Sequence, residues 1–282
     1  LFSFEISLNT YRLFNYLSVI LLFYLVHRLF STIFDNKIQS KSAANISLIF
    51  LGFSQFSVQF FVNRPEILAL VFFLTGLISS VKFTNKHKRS DIHIMIAFFS
   101  FGLSVVLHIN FIMLSGSIIL YLLWIMIIDS RVRYSKFLVI FFIPLLFFAI
   151  WFFANFEVAY DQLFSRINHE MREGVFKFSS VIDMLSVITG KGGNSAIHKA
   201  YLGVHMMTLL ASLLSLLGFL FFSKRLYSPN KRIINLFLVL SISVVSLFIL
   251  MEPWPAYYLL ISFLTIILVV FYMTSLLLSI KI

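Results

Sequence analysis

Three short polar stretches interrupt an otherwise apolar chain, and they hold the residue types that could bind or react with a substrate. An arginine guanidinium presents a planar fork of N–H donors that suits phosphate. Carboxylates and imidazoles can bind polar ligands and exchange protons with a substrate hydroxyl. These stretches therefore predict a binding site for an anionic substrate, formed by Arg64, Glu66, His108, Asn110, Glu252, Trp254 and Tyr257.

The same residues also have a structural interpretation, because each stretch borders a long apolar run. Arg64 can extend its guanidinium to lipid headgroups, and Glu66 can stabilise the positive end of a helix that begins at Pro65. His108 can be an ordinary boundary histidine, and Trp254 belongs to a residue type that is common where protein meets the membrane surface. Residue types alone leave both interpretations open.

The composition establishes which class of protein must position these residues. Among 282 residues, 60% are hydrophobic and 12% are charged, with a mean hydropathy of +0.99. A soluble domain is typically about half apolar and about a quarter charged. The chain is therefore expected to be an integral membrane protein, and the absence of Cys excludes disulfides, thiolate metal sites and cysteine nucleophiles.

The hydropathy pattern predicts an all-α fold, a polytopic bundle of about nine transmembrane helices that forms one domain over residues 1–282. Each run approaches the roughly 20 residues that cross a bilayer as helix. The predicted spans are 11–30, 43–62, 66–82, 92–107, 110–128, 136–154, 202–222, 233–250 and 256–280.

The basic residues predict the orientation of these spans. Short cytoplasmic loops retain Lys and Arg, and three or four bases lie in each of the loops 28–42, 82–91, 129–136 and 223–232. The C-terminus is then cytoplasmic, while residue 1 and the three polar stretches lie outside. The net charge of +11 is explained in this way, without a nucleic-acid partner.

One long loop, 155–201, is predicted to lie outside between the sixth and seventh spans. Apolar residues recur at helical spacing over 160–175 and again over 181–188, which indicates amphipathic helices along the membrane surface. The loop carries five basic and five acidic residues.

An odd number of spans places the first residue outside, and that residue is Leu rather than Met. We therefore expect at least one further helix, followed by an outside loop, before Leu1. Paired ionisable residues at mid-span, which mark many ion-coupled transporters, are not apparent in the predicted spans, and neither are matched broken helices. A transporter is therefore disfavoured.

The order of motifs resembles that of the polytopic GT-C glycosyltransferases, the superfamily of the protein O-mannosyltransferases and lipid A aminoarabinose transferases. The likeness covers most of the chain and rests on an Arg-Leu-X-Asn helix entry, a basic helix end, an Arg-Pro-Glu turn, a Gly-Leu run that ends in His, a long outside loop and an aromatic-proline turn. These are 11–16, His27-Arg28, 64–66, 102–108, 155–201 and 253–258.

The resemblance implies a bacterial inner-membrane enzyme that moves a sugar from a polyprenyl-phosphate donor to a lipid, glycan or protein acceptor on the outer side. In that family a carboxylate of the first outside loop acts as base, which would lie before Leu1; Glu5 is a lone candidate within this chain. Arg64 would hold the leaving lipid phosphate, and Trp254 and Tyr257 would line the sugar or lipid site. No cofactor is implied with certainty, and a divalent metal stays open.

Two other classes of protein remain in view. Polymerases and ligases of lipid-linked polysaccharides are also polytopic, but they tend to concentrate Arg in outside loops, whereas the loop 155–201 balances bases with acids. A non-catalytic polytopic membrane protein is the third class.

Overall fold

The computed structural model is helical throughout the part of the chain that it describes, which is 8–53, 65–85, 91–108, 111–129, 134–157, 196–226, 230–250 and 255–280. The helices in chain order are α1 Leu8–Ile33, α2 Lys37–Phe53, α3 Pro65–Thr84, α4 Asp91–Leu107, α5 Phe111–Ile128, α6 Tyr134–Ala154, α7 Ala196–Phe222, α8 Lys231–Leu250 and α9 Pro255–Ile280. The expected all-α bundle is confirmed at this level.

Each predicted span overlaps one of these helices, although residues 54–62 of the span 43–62 lie outside the described part. Six helices are long and apolar enough to cross a membrane by length and composition: α1, α3, α5, α6, α8 and α9. In α4 and in the Met207–Phe222 part of α7 the apolar stretch is shorter, and α2 begins with the polar turn Lys37 to Lys41. The protein is thus a helical membrane bundle, and the count of nine crossings stays a prediction.

Polar residues mark where several helices begin and end. The side-chain oxygen of Asn36 accepts a hydrogen bond from the Ile38 backbone N–H, and that of Asn230 accepts one from Arg232. Both are N-caps, which satisfy backbone donors that have no partner inside the helix. At the break between α4 and α5 the Phe111 N–H donates to the His108 carbonyl, so the predicted break falls at the expected place.

Contacts between helices establish that successive helices alternate in direction. Glu66 at the start of α3 meets His108 at the end of α4. Asn230, which precedes α8, donates a hydrogen bond to the carbonyl of Thr84 at the end of α3. Helices α4 and α6 run the same way, because the carbonyl of Phe141 and the ring of Pro144 approach Gly102 while Phe137 packs on Phe98.

An aromatic cluster joins the remaining helices at the same end as Thr84. The Phe271 ring of α9 stacks on Phe237 of α8 with centroids 4.1 Å apart, on Phe219 of α7 at 5.8 Å, and contacts Phe34 after α1 at 6.0 Å. Phe34, Phe219 and Phe237 all lie close to helix ends. Helices α1, α3, α5, α7 and α9 therefore finish at one end of the bundle, where α2, α4, α6 and α8 begin.

We call this end the basic end, because every Lys or Arg whose side chain the structure describes lies there. They are Arg28, Lys37, Lys41, Lys82, Lys136, Lys224, Arg225, Lys231 and Arg232. The opposite end, called the Glu66 end, carries Glu66, His108 and Glu157, together with the positions of Arg12 and Lys199 near the starts of α1 and α7. The short basic loops thus share one end, as the sequence predicted.

Glycine allows two helix pairs to approach closely. A Cβ on Gly102 would collide with the backbone carbonyl of Phe141 in α6, and one on Gly218 would lie 2.5 Å from the ring of Tyr272 in α9. Small residues at such crossings are the usual means of packing helices in lipid, where apolar surface alone does not draw them together. The Gly-Leu run beginning at Gly102 thus has a packing role in α4.

Candidate functional site

The structure brings together two of the residues that the sequence singled out. The Nε2 atom of His108 lies 3.6 Å from the Oε1 atom of Glu66, an ion-pair distance if the imidazole is protonated. Forty-one residues separate them in the chain, and they meet because α3 and α4 pack side by side in opposite directions. Glu66 belongs to the first turn of α3, whereas His108 directly follows α4.

Both side chains are largely withdrawn from solvent. The Glu66 side chain is 9% exposed and that of His108 is 16% exposed. A carboxylate in the first turn of a helix interacts favourably with the positive helix end, and the adjacent imidazole can add a second stabilising contact. Glu66 thus lies where both the helix end and the imidazole can stabilise a negative charge.

The imidazole of His108 also contacts an aromatic ring. The Phe111 ring meets it edge to face with centroids 6.2 Å apart. Phe111 in turn packs on Phe73 of α3 at 5.4 Å, and Phe73 packs on Phe101 of α4 at 5.5 Å. Phe111 therefore connects His108 to ring contacts that join α3, α4 and α5.

A buried hydroxyl pair fixes the helix turn that carries His108. The Oγ atoms of Ser104 in α4 and Ser115 in α5 lie 3.1 Å apart, and the His108 backbone N–H donates to the Ser104 carbonyl. Hydrogen bonds between helices of this kind contribute about 0.6 kcal/mol on average in membrane proteins. The α4–α5 turn is thus held by polar as well as aromatic contacts.

Of the other predicted site residues, only Tyr257 belongs to a described helix. Glu5, Arg64, Asn110, Glu252 and Trp254 lie outside the described residues. Tyr257 lies in the first turn of α9, at the Glu66 end. Of the seven predicted binding residues, only Glu66 and His108 are thus shown to contact each other. The predicted amphipathic helices at 160–175 and 181–188 also fall outside the described part, and α7 begins at Ala196, six residues before the predicted span.

The family-like helix entry at 11–16 lies on α1. Within it, Asn15 is buried, whereas the two preceding residues, Leu13 and Phe14, are exposed. Asn15 thus adds a buried polar group to the part of α1 nearer the Glu66 end, where Glu66 and His108 also lie.

A second polar cluster, at the basic end, was not anticipated from the sequence. Arg232 donates two hydrogen bonds to the two carboxylate oxygens of Asp129, at 2.8 and 2.9 Å. The hydroxyl of Tyr121 donates to the Arg232 carbonyl at 2.8 Å, and Asn230 reaches Thr84. This cluster ties α3, α5 and α8 together. Two features of the sequence could have indicated this cluster: an acid at the edge of a basic loop, and an Asn directly before an apolar helix.

The described residues include no group of three His, Asp or Glu side chains that could hold a metal ion. Glu66 and His108 offer two ligand types, a carboxylate and an imidazole, and no third ligand accompanies them within the described part of the chain. A divalent metal therefore stays open, and no chemical step is assigned to one.

Comparison with protein-family models, with curated proteins and with solved structures found no match to this chain. The resemblance to GT-C glycosyltransferases consequently rests on the motifs alone.

Proposed function

We propose that the protein is a membrane glycosyltransferase of the GT-C kind, which moves a sugar from a polyprenyl-phosphate donor to an acceptor on the extracytoplasmic side. The observation that carries the proposal is the contact between Glu66 and His108 at the end of the bundle opposite the basic residues. These two residues stand at the positions that the family-like motifs single out, and their pairing in space follows from the helix packing.

The arrangement of charges supports the outward placement of the pair. Loops rich in Lys and Arg stay in the cytoplasm during insertion, and the basic end collects the described cationic side chains. The Glu66 end is then the outer surface of a cell-envelope membrane, where a lipid-linked sugar donor would present its headgroup. On this account the C-terminus is cytoplasmic.

The chemistry of the pair suits substrate binding. A carboxylate beside an imidazole can orient the ring, and an imidazole N–H can donate a hydrogen bond to a phosphate or sugar oxygen. In the proposed reaction an acceptor hydroxyl attacks the anomeric carbon, the bond from that carbon to the phosphate oxygen breaks, and the hydroxyl proton passes to a base. Arg64 binds the departing polyprenyl phosphate, whereas Glu66 and His108 position the donor.

The test is an assay of polyprenyl-phosphate release by the purified full-length protein. Polyprenyl-phosphate mannose, glucose and aminoarabinose are each supplied with membrane extract as acceptor, and lipid products are followed by mass spectrometry. We expect release with one donor, and a fall of about 10- to 100-fold for Glu66→Gln and for His108→Gln, the range lost when an interaction of about 1.4 to 2.7 kcal/mol is removed from the transition state.

Two variants provide matched controls for this assay. His93→Gln changes another histidine of α4, in its first turn at the basic end. Glu157→Gln changes an exposed carboxylate that follows α6 at the Glu66 end. Both should keep wild-type release. Release unaffected by Glu66→Gln and His108→Gln would remove the pair from the site, and no release with any donor would contradict the proposed activity.

A further inference from the structure

We propose that the cations flanking the connection between α7 and α8 bind anionic phospholipid headgroups. Three exposed cations border it, Lys224, Arg225 and Lys231. The fourth base of this segment, Arg232, is already neutralised by its two hydrogen bonds to Asp129. These cations are separate from the Glu66–His108 pair, and their role does not depend on the proposed transferase activity.

The chemistry of the segment favours an anion. Between Asp183 and Glu252 the sequence has no acidic residue. Two other basic segments of this end include an exposed acid, because Asp35 lies two residues before Lys37 and Asp91 begins α4 after Lys82. Lys224, Arg225 and Lys231 have no acid in their own segment.

The backbone on both sides of the connection is held in place. The N–H groups of Arg225 and Leu226 donate to the Phe222 carbonyl at 2.8 and 3.1 Å, and the Leu226 side chain is buried. At the other side, Asn230 is fixed by its bond to Thr84 of α3. Cationic side chains on an already ordered backbone lose less conformational entropy when a headgroup binds than side chains on a flexible loop would.

The position of these cations points to a lipid rather than a soluble anion. Phe221, three residues before Lys224, is 75% exposed, and Ile280 at the end of α9 is 74% exposed. In a membrane these apolar side chains contact acyl chains, which places the cations at the depth of the phosphates. Basic residues at this depth attract anionic lipids with roughly 1 kcal/mol each.

The experiment is native mass spectrometry of the detergent-solubilised protein with added phosphatidylglycerol or phosphatidylcholine. We expect phosphatidylglycerol to bind more tightly, and the triple variant Lys224→Gln, Arg225→Gln, Lys231→Gln to lose this preference by a factor on the order of 100, about fivefold per base. A second triple variant, Arg28→Gln, Lys37→Gln, Lys41→Gln, removes equal charge elsewhere at the basic end and should keep most of the preference.

Thermal unfolding provides the second measurement. Phosphatidylglycerol should raise the unfolding temperature of the wild type and of the control triple variant more than phosphatidylcholine does, whereas inorganic phosphate at equal concentration should not. Equal effects of the two lipids, an unchanged preference in the first triple variant, or the same rise with inorganic phosphate would each overturn the proposal.

Discussion

Asp129 and Arg232 pair with each other at helix ends where each charge is unfavourable for its own helix. Asp129 directly follows the last residue of α5, at the negative end of the helix dipole, and Arg232 is the second residue of α8, at the positive end. Their bidentate contact, with side chains 18% and 23% exposed respectively, offsets both penalties at once. The ion pair thereby favours the packing of α5 against α8.

This relationship predicts the outcome of a charge exchange. Asp129→Arg alone and Arg232→Asp alone should each destabilise the protein, because each places like charges together. The double variant Asp129→Arg, Arg232→Asp should regain most of the loss, since each new charge then suits its own helix end. We expect a coupling free energy of about 1 to 2 kcal/mol from unfolding in sodium dodecyl sulfate; losses that simply add in the double variant would contradict the account.

Close approach of α4 and α6 predicts opposite effects for two glycine substitutions. Gly102→Ala should lower the free energy of unfolding by about 1 to 3 kcal/mol, because the new Cβ meets the Phe141 carbonyl and the helices must separate. Gly116→Ala in α5 is the matched control, since its Cβ would enter open space. It should be neutral or stabilising, as Ala favours helix over Gly. Equal effects at the two positions, measured by thermal unfolding, would show that the α4–α6 contact is not tight.

The aromatic cluster at the basic end predicts a large cost for Phe271→Ala. The Phe271 side chain is fully buried and touches rings of α7, α8 and the residue after α1. Removal of a buried Phe typically costs about 3 to 5 kcal/mol. Phe147→Ala in α6, where the ring is 68% exposed, is the control and should have a much smaller effect. A small change at Phe271, by the same unfolding measurement, would mean that the cluster does not join these helices.

A polar contact between α5 and α8 predicts a non-additive pair of substitutions. The Oγ atoms of Ser117 and Ser243 share a hydrogen bond. Ser117→Ala and Ser243→Ala should each cost about 0.6 kcal/mol, and the double variant should cost little more than either one. Ser31→Ala provides the comparison, because the Ser31 hydroxyl bonds to the carbonyl of Arg28 in its own helix. Fully additive losses would argue against the contact.

The sequence predicted where the helices lie because hydropathy and polar breaks act locally. The break at His108 placed the boundaries of α4 and α5 within one residue of 92–107 and 110–128. At α1 the same reasoning ended the span at residue 30, whereas the helix continues to Ile33, since a helix need not end where the hydrocarbon does. Similarly, α2 begins at Lys37 rather than at residue 43, because Asn36 caps a polar first turn.

The same reasoning could not predict contacts between helices that are distant in the sequence. Asp129 and Arg232 lie 103 residues apart, and in the sequence they are two more charges in basic loops. Glu66 and His108 were both recognised as polar residues beside apolar runs, but their meeting depends on how α3 and α4 pack. The sequence therefore indicated which residues could take part in chemistry, but it did not indicate which residues they contact in the fold.

The central claim is that the Glu66–His108 pair faces the extracytoplasmic side and the basic end faces the cytoplasm. Because the chain has no Cys, single cysteines can report on this directly. Glu157→Cys and Lys224→Cys, exposed residues at opposite ends, are each treated with a membrane-impermeant maleimide in right-side-out vesicles, intact and then permeabilised. The account predicts labelling of residue 157 in intact vesicles and of residue 224 only after permeabilisation; the reverse pattern would contradict it.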